Sequence, residues 1–88
     1  MDRATRLKRL GFRAAHRGTR EADMVLGGFF DAHHSNWVDD DICWFEILMD
    51  EQDVDILAWA LRAQPVPPRW QGPMMDALMK LDFVTLPE

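Results

Sequence analysis

The sequence predicts an all-α protein, a compact five-helix bundle forming one small domain over residues 1–88 with its core between about 3 and 82. Three observations carry this. Apolar residues recur at i, i+3, i+4 and i+7 along most of the chain, and no stretch alternates with period two. Glycine and proline fall mainly between the periodic segments, at Gly18, at 65–68 and at Gly72-Pro73. The 88 residues, 48% of them hydrophobic, suffice for one core and not for two.

The first helix is predicted over 3–16. Leu7, Leu10 and Ala14 make an apolar stripe among arginines, Asp2 stands at the N-cap, and Gly18 offers a left-handed stop beyond the end. Gly11 weakens this helix by roughly 1 kcal/mol relative to alanine. The second helix is predicted over 20–33, with Ala22, Leu26, Phe29, Phe30 and His33 on one face. Thr19 is its N-cap, and Glu21 and Asp23 lie in the first turn, where the helix dipole favours acids. Ala22 at the third position precludes a capping box. Gly27-Gly28 in mid-helix implies either a bend or the close approach of another backbone.

Ser35-Asn36 mark a turn. A third helix over about 40–49 is predicted behind an Asp39 cap, with Ile42, Phe45 and Met49 inward. A fourth over about 54–62 follows an Asp53 cap and carries Ile56, Leu57, Trp59, Ala60 and Leu61. Residues 64–68 cannot be helical, because their prolines lack a donor and restrict their predecessors. A fifth helix starts at Pro73, carries Met74, Met75, Leu78 and Met79, and fades by Phe83. Trp70 and Met74 either drive self-association or pack back onto the bundle. The last few residues are expected to be loose.

Charge is distributed unevenly. Residues 1–20 hold seven cations against one acid, Asp2, whereas 21–88 hold fourteen acids against three cations. The basic start has the composition of a mitochondrial transit peptide, but it also reads as the first helix. An acidic remainder repels phosphates, which excludes duplex nucleic acid and favours a protein partner with a mixed surface. No apolar run approaches the roughly 18 residues that cross a membrane. The first helix has too thin an apolar face to bind a bilayer surface, with Phe12 its one aromatic. Cys43 is the single cysteine, so no intrachain disulfide forms and a reducing compartment is expected. The bacterial cytoplasm is preferred to the mitochondrial matrix, and a monomer to an oligomer.

Catalytic, metal-binding and cofactor-binding residues are not predicted. His33 and His34 diverge by about 100° on a helix, and zinc sites want spaced ligand pairs. His33 reads as a core-edge residue and His34 as solvent-facing. The acidic runs 39–41 and 50–55 resemble a calcium loop, but one starting at Asp53 would place Ala58 where glycine is needed and Gln64 where glutamate is needed. Helix caps account for these acids. Cys43, beside Trp44 and Phe45, reads as a buried and inert thiol. There is no glycine-rich phosphate loop or dinucleotide fingerprint.

The segment His16-Arg17-Gly18-Thr19-Arg20-Glu21-Ala22-Asp23 is the densest cluster of chemistry. Each residue has a structural task at a helix corner. The same residues suit docking: a glycine lets a partner backbone approach, and paired cations and carboxylates form charge-assisted hydrogen bonds. His16, Arg17, Gly18, Arg20, Glu21 and Asp23 are therefore the candidate partner-binding residues.

Arg17-Gly18-Thr19-Arg20-Glu21 followed by Asp23 resembles the Arg-Gly-x-x-Glu motif of the SdhE-like succinate dehydrogenase FAD assembly factors. The resemblance continues at Leu26 and Phe29 and returns at Phe45, Leu48, Asp53, Asp55 and Trp59, covering about residues 9–62. Val54 and Ile56 depart from the family, which often has proline and leucine there. The resemblance implies a five-helix bundle that binds the flavoprotein subunit of succinate dehydrogenase, and in bacteria also of fumarate reductase. It implies that the protein promotes covalent attachment of FAD to a histidine of that subunit as an assembly chaperone. The bond-forming chemistry then belongs to the partner, and FAD is not stably held on this chain. It further implies that Gly18 allows close approach, that Arg17 and Glu21 make the docking contacts, and that Arg20 and Asp23 assist. The alternative is a small helical interaction or regulatory module unconnected with flavin.

Overall fold

The caps expected at the first two helices are made. Asp2 accepts the Thr5 backbone N–H at 2.7 Å, which holds its carboxyl below the usual carboxylate range. Thr19 accepts the Ala22 N–H at 3.3 Å. The computed structural model describes residues 2–84. Over these residues the chain forms α1 (Arg3–Ala15), α2 (Arg20–His33), α3 (Asp39–Leu48), α4 (Asp53–Ala60) and α5 (Pro73–Lys80), with 3-10 turns at His34–Asn36 and Pro68–Trp70. The expectation of loose terminal residues concerns 85–88, outside the described residues.

Helices α1 and α2 make the most extensive pairing. Gly27 permits it: a Cβ there would stand 3.2 Å from Ala15 Cα, so the two backbones approach as the glycine pair implied. One core runs through all five helices, with Leu10, Leu26, Phe29, Ile42, Phe45 and Ile56 almost fully buried. Phe29 is its centre, within 5.7 Å of the rings of Trp37, Phe45 and Phe83. The described residues include no buried polar or charged side chain.

Several boundaries differ from those predicted. α3 begins at Asp39 and its N-cap is Val38, not Asp39. The Asp41 carboxylate accepts the Val38 N–H at 3.1 Å, and Asp39 is drawn away to Arg3. α4 begins at Asp53 behind Gln52 and stops at Ala60, since Arg62 takes a positive φ of 62°. Residues 64–67 are non-helical as expected, but Pro68 opens the 3-10 turn that places Trp70, since a proline at the first helical position needs no N–H donor. The Trp70 ring is 3% exposed and packs 5.7 Å from Trp44 and 6.2 Å from Trp59, so it folds back onto the bundle. Cys43 is exposed, contrary to the buried thiol expected. It follows Ile42 by one residue and so points roughly 100° from the buried line. His34 is half-buried and not solvent-facing: it stacks on Phe30 at 4.4 Å and its Nδ1 donates to the Phe30 carbonyl at 2.8 Å.

Candidate functional site

The α1–α2 corner is built from residues that end one helix and start the next. α1 stops at Ala15, and His16 Nδ1 donates to the Phe12 carbonyl at 2.8 Å, satisfying one of the last acceptors of the helix. Gly18, two residues past the cap, has φ 105°, a conformation that L side chains rarely adopt. Nothing lies within 4 Å of where its Cβ would be. The chain can therefore turn tightly here and leave a bare, outward-facing spot.

The six candidate residues divide into two groups. His16, Gly18, Arg20 and Glu21 are exposed, Arg20 and Glu21 standing in the first turn of α2. Arg17 and Asp23 turn inward. The Arg17 side chain is 12% exposed, and its guanidinium donates to Asp53 Oδ1 at 2.7 Å, to the Met49 carbonyl at 2.9 Å and to the Glu51 carbonyl at 3.2 Å. Asp23 accepts the Arg17 backbone N–H. The planar fork of Arg17 thus fastens the corner to the turn between α3 and α4, and Asp23 locks the backbone just before Gly18. Asp53 was visible in the sequence as a cap and as part of the family resemblance. Its partnership with Arg17 needs the tertiary fold.

Four of the seven cations in residues 1–20 are paired within the molecule. Arg3 pairs with Asp39 at 2.9 Å, Arg6 with Glu46 at 2.6 Å, Arg13 with Asp50 at 2.7 Å and Arg17 with Asp53. α1 and the residues after it thus face the acids of α3, of the turn after it and of the start of α4 in a ladder of four ion pairs. The Arg6–Glu46 pair is forked, with Nε 3.1 Å from both carboxylate oxygens. This hydrogen bonding holds the Glu46 carboxyl below the usual glutamate range and raises Arg6.

Beside the corner, Glu21 forms part of the rim of a cleft of about 280 Å³ lined otherwise by Met24, Val25, Leu57, Leu61, Leu81 and Val84. Apart from Glu21, its walls are aliphatic or thioether. Among the described residues no three His, Cys, Asp or Glu side chains are grouped to hold a metal, and no helix is long and apolar enough to cross a membrane.

A protein-family model described as "Flavinator of succinate dehydrogenase" matches residues 8–82. The chain is 37% identical over 68 residues to "Succinate dehydrogenase assembly factor 2, mitochondrial" of Mycosarcoma maydis, a match covering 77% of this chain and 29% of that protein. It is 31% identical over 77 residues to "FAD assembly factor SdhE" of Acetobacter pasteurianus, covering 88% of this chain and 71% of that one. A further mitochondrial assembly factor 2, from Cryptococcus neoformans, is 34% identical over 80 residues, covering 90% of this chain and 46% of the other. The chain thus spans less than half of these mitochondrial relatives and about two-thirds or more of the bacterial one. With the family match extending from α1 to just beyond α5 and taking in the whole corner, the chain belongs to the family of flavinators of succinate dehydrogenase.

Proposed function

We propose that this protein is an assembly factor that binds the flavoprotein subunit of succinate dehydrogenase and promotes covalent attachment of FAD to it. The observation that carries the reading is the Gly18 corner: a backbone with positive φ, open outward, inside the segment matched by the family. The exposed His16, Gly18, Arg20 and Glu21 meet the partner. Arg17 and Asp23 hold the corner in shape. In this role the protein is an assembly chaperone, and the bond-forming chemistry and FAD itself reside in the partner. The flavoprotein of fumarate reductase is a second client under this reading. The protein acts as a monomer in the bacterial cytoplasm, a reducing compartment in which the exposed Cys43 stays a free thiol.

The test is co-expression with the flavoprotein subunit, with covalent flavin read as in-gel fluorescence after denaturation. Omitting this protein lowers the signal, and Gly18→Arg lowers it equally while circular dichroism reports an intact helical fold. Fluorescence unchanged by both would overturn the proposal. Repeating the experiment with the fumarate reductase subunit decides the second client.

A further inference from the structure

Phe12 is the one Phe or Trp that is exposed among the described residues, 64% accessible on the outer side of α1. It is held in place: its ring stacks on His16 at 3.9 Å with 15° between the planes, and His16 is itself tied to the Phe12 carbonyl. A ring fixed in this way loses little freedom when something packs on it. Thr5, Lys8, Arg9, Phe12 and Arg13 line a shallow, open depression. Arg3, Arg6, Arg13 and Arg17 are engaged in the ion-pair ladder. Lys8 and Arg9 are exposed one turn before Phe12 and take no part in it. At about 1.5 Å per residue, the strip from Thr5 to His16 runs roughly 16 Å and ends at the Gly18 corner.

We propose that this outer face of α1 is a second docking strip, continuous with the corner, which receives an acidic segment of the partner protein's surface. The proposal rests on the reading that the corner docks a protein. Lys8 and Arg9 attract carboxylates, and the Phe12 ring receives an apolar side chain from the same segment. A polyanion or an anionic bilayer is a poorer occupant. The chain carries a net charge of −5, and bilayer recognition calls for clusters of about four to eight cations. An aromatic anchor flanked by steering charges is the usual composition of a protein-binding hot spot.

The test is titration of the purified flavoprotein subunit with the full chain at about 50 and about 300 mM salt, where screening differs strongly. Charge reversal by Lys8→Glu with Arg9→Glu weakens binding by about tenfold or more at low salt and flattens the salt dependence. Phe12→Ala weakens it by about tenfold at both salts. Lys8→Gln with Arg9→Gln falls between wild type and the reversal. All variants keep the wild-type circular dichroism and melting temperature, since the residues are exposed. If wild type binds and Gly18→Arg does not, but the strip variants bind within about twofold of wild type, the strip is overturned and the corner stands. If wild type does not bind the flavoprotein, both readings fall. If the strip variants keep flavoprotein binding but lose co-sedimentation with phosphatidylcholine–phosphatidylserine vesicles, the face binds lipid and the proposal is wrong. A strip-dependent change of wild-type oligomeric state, with flavoprotein binding retained, would instead assign the face to a second copy.

Discussion

At Gly18, backbone strain and surface access are separable. Any L residue there adopts a positive φ at a cost of about 1–2 kcal/mol, because its Cβ crowds its own backbone. The space around that Cβ is open, so side-chain size adds little further cost. Gly18→Ala and Gly18→Arg should therefore lose similar stability in urea denaturation, while only the arginine abolishes flavinylation. A larger stability loss in the arginine variant would mean that the corner matters for folding and not for docking. At the neighbouring position, Arg17→Lys should cost about 2 kcal/mol in the same measurement. One ammonium cannot replace a guanidinium that reaches a carboxylate and two carbonyls in different directions. The motif arginine thus ties the corner to the α3–α4 turn, contacts its position in the sequence did not reveal. Residue type announced a charge-assisted contact, but whether the contact lies inside the molecule or across an interface depends on what α3 and α4 bring alongside.

Among the elements, helix positions were legible and their neighbours were not. α2 matches its predicted span because Thr19 and Gly18 act locally. α3 was misread at its start because Asp39, the residue with the better capping side chain, is claimed by Arg3 from another helix. Cys43 is exposed although it reads as buried, and the period in Ile42, Phe45 and Met49 already turns it outward. Gly11 shows the same contrast between local and tertiary reasoning. Helix propensity alone favours Gly11→Ala by about 1 kcal/mol. Yet the new Cβ would stand 2.7 Å from the Phe30 ring, which is clamped between His34, Trp37 and Phe45. Overpacking of this kind costs about 1–3 kcal/mol, so the net effect expected is destabilising. Phe30→Leu in the same background should relieve part of it. A double-mutant cycle with no coupling between the two positions would contradict the packing account.

For the molecule as a whole, the charge asymmetry is a fold device before it is a partner signal. The basic start and the acidic α3–α4 region attract each other, so four of the seven cations that pointed to an external partner find their acids inside the molecule. A pH dependence follows from Glu46. Its folded-state value lies below its unfolded one, so the stabilisation is complete above the unfolded value, about 4.3, and is lost as pH falls through the folded value. Thermal melting between pH 7 and pH 3 should show a smaller acid-side fall for Glu46→Gln than for wild type. Equal falls would show that the pair contributes nothing to the titration. The resemblance at Leu26, Phe45, Asp53 and Trp59 made the family readable from residue types alone. The engagement of Arg17, by contrast, became visible only with the tertiary contacts.

The hydrogen bonds of Arg17 join residues 32 to 36 positions apart. The α1–α2 hairpin is close in sequence and needs little loop closure, so it can assemble early, whereas the Arg17 bonds must wait until the α3–α4 turn arrives. The corner then acquires its final shape late in folding. Arg17→Ala should accordingly speed unfolding and leave the refolding rate nearly unchanged in stopped-flow measurements. A partner that reads this corner would engage only chains that have finished folding, so that structural completion and competence to bind become a single event.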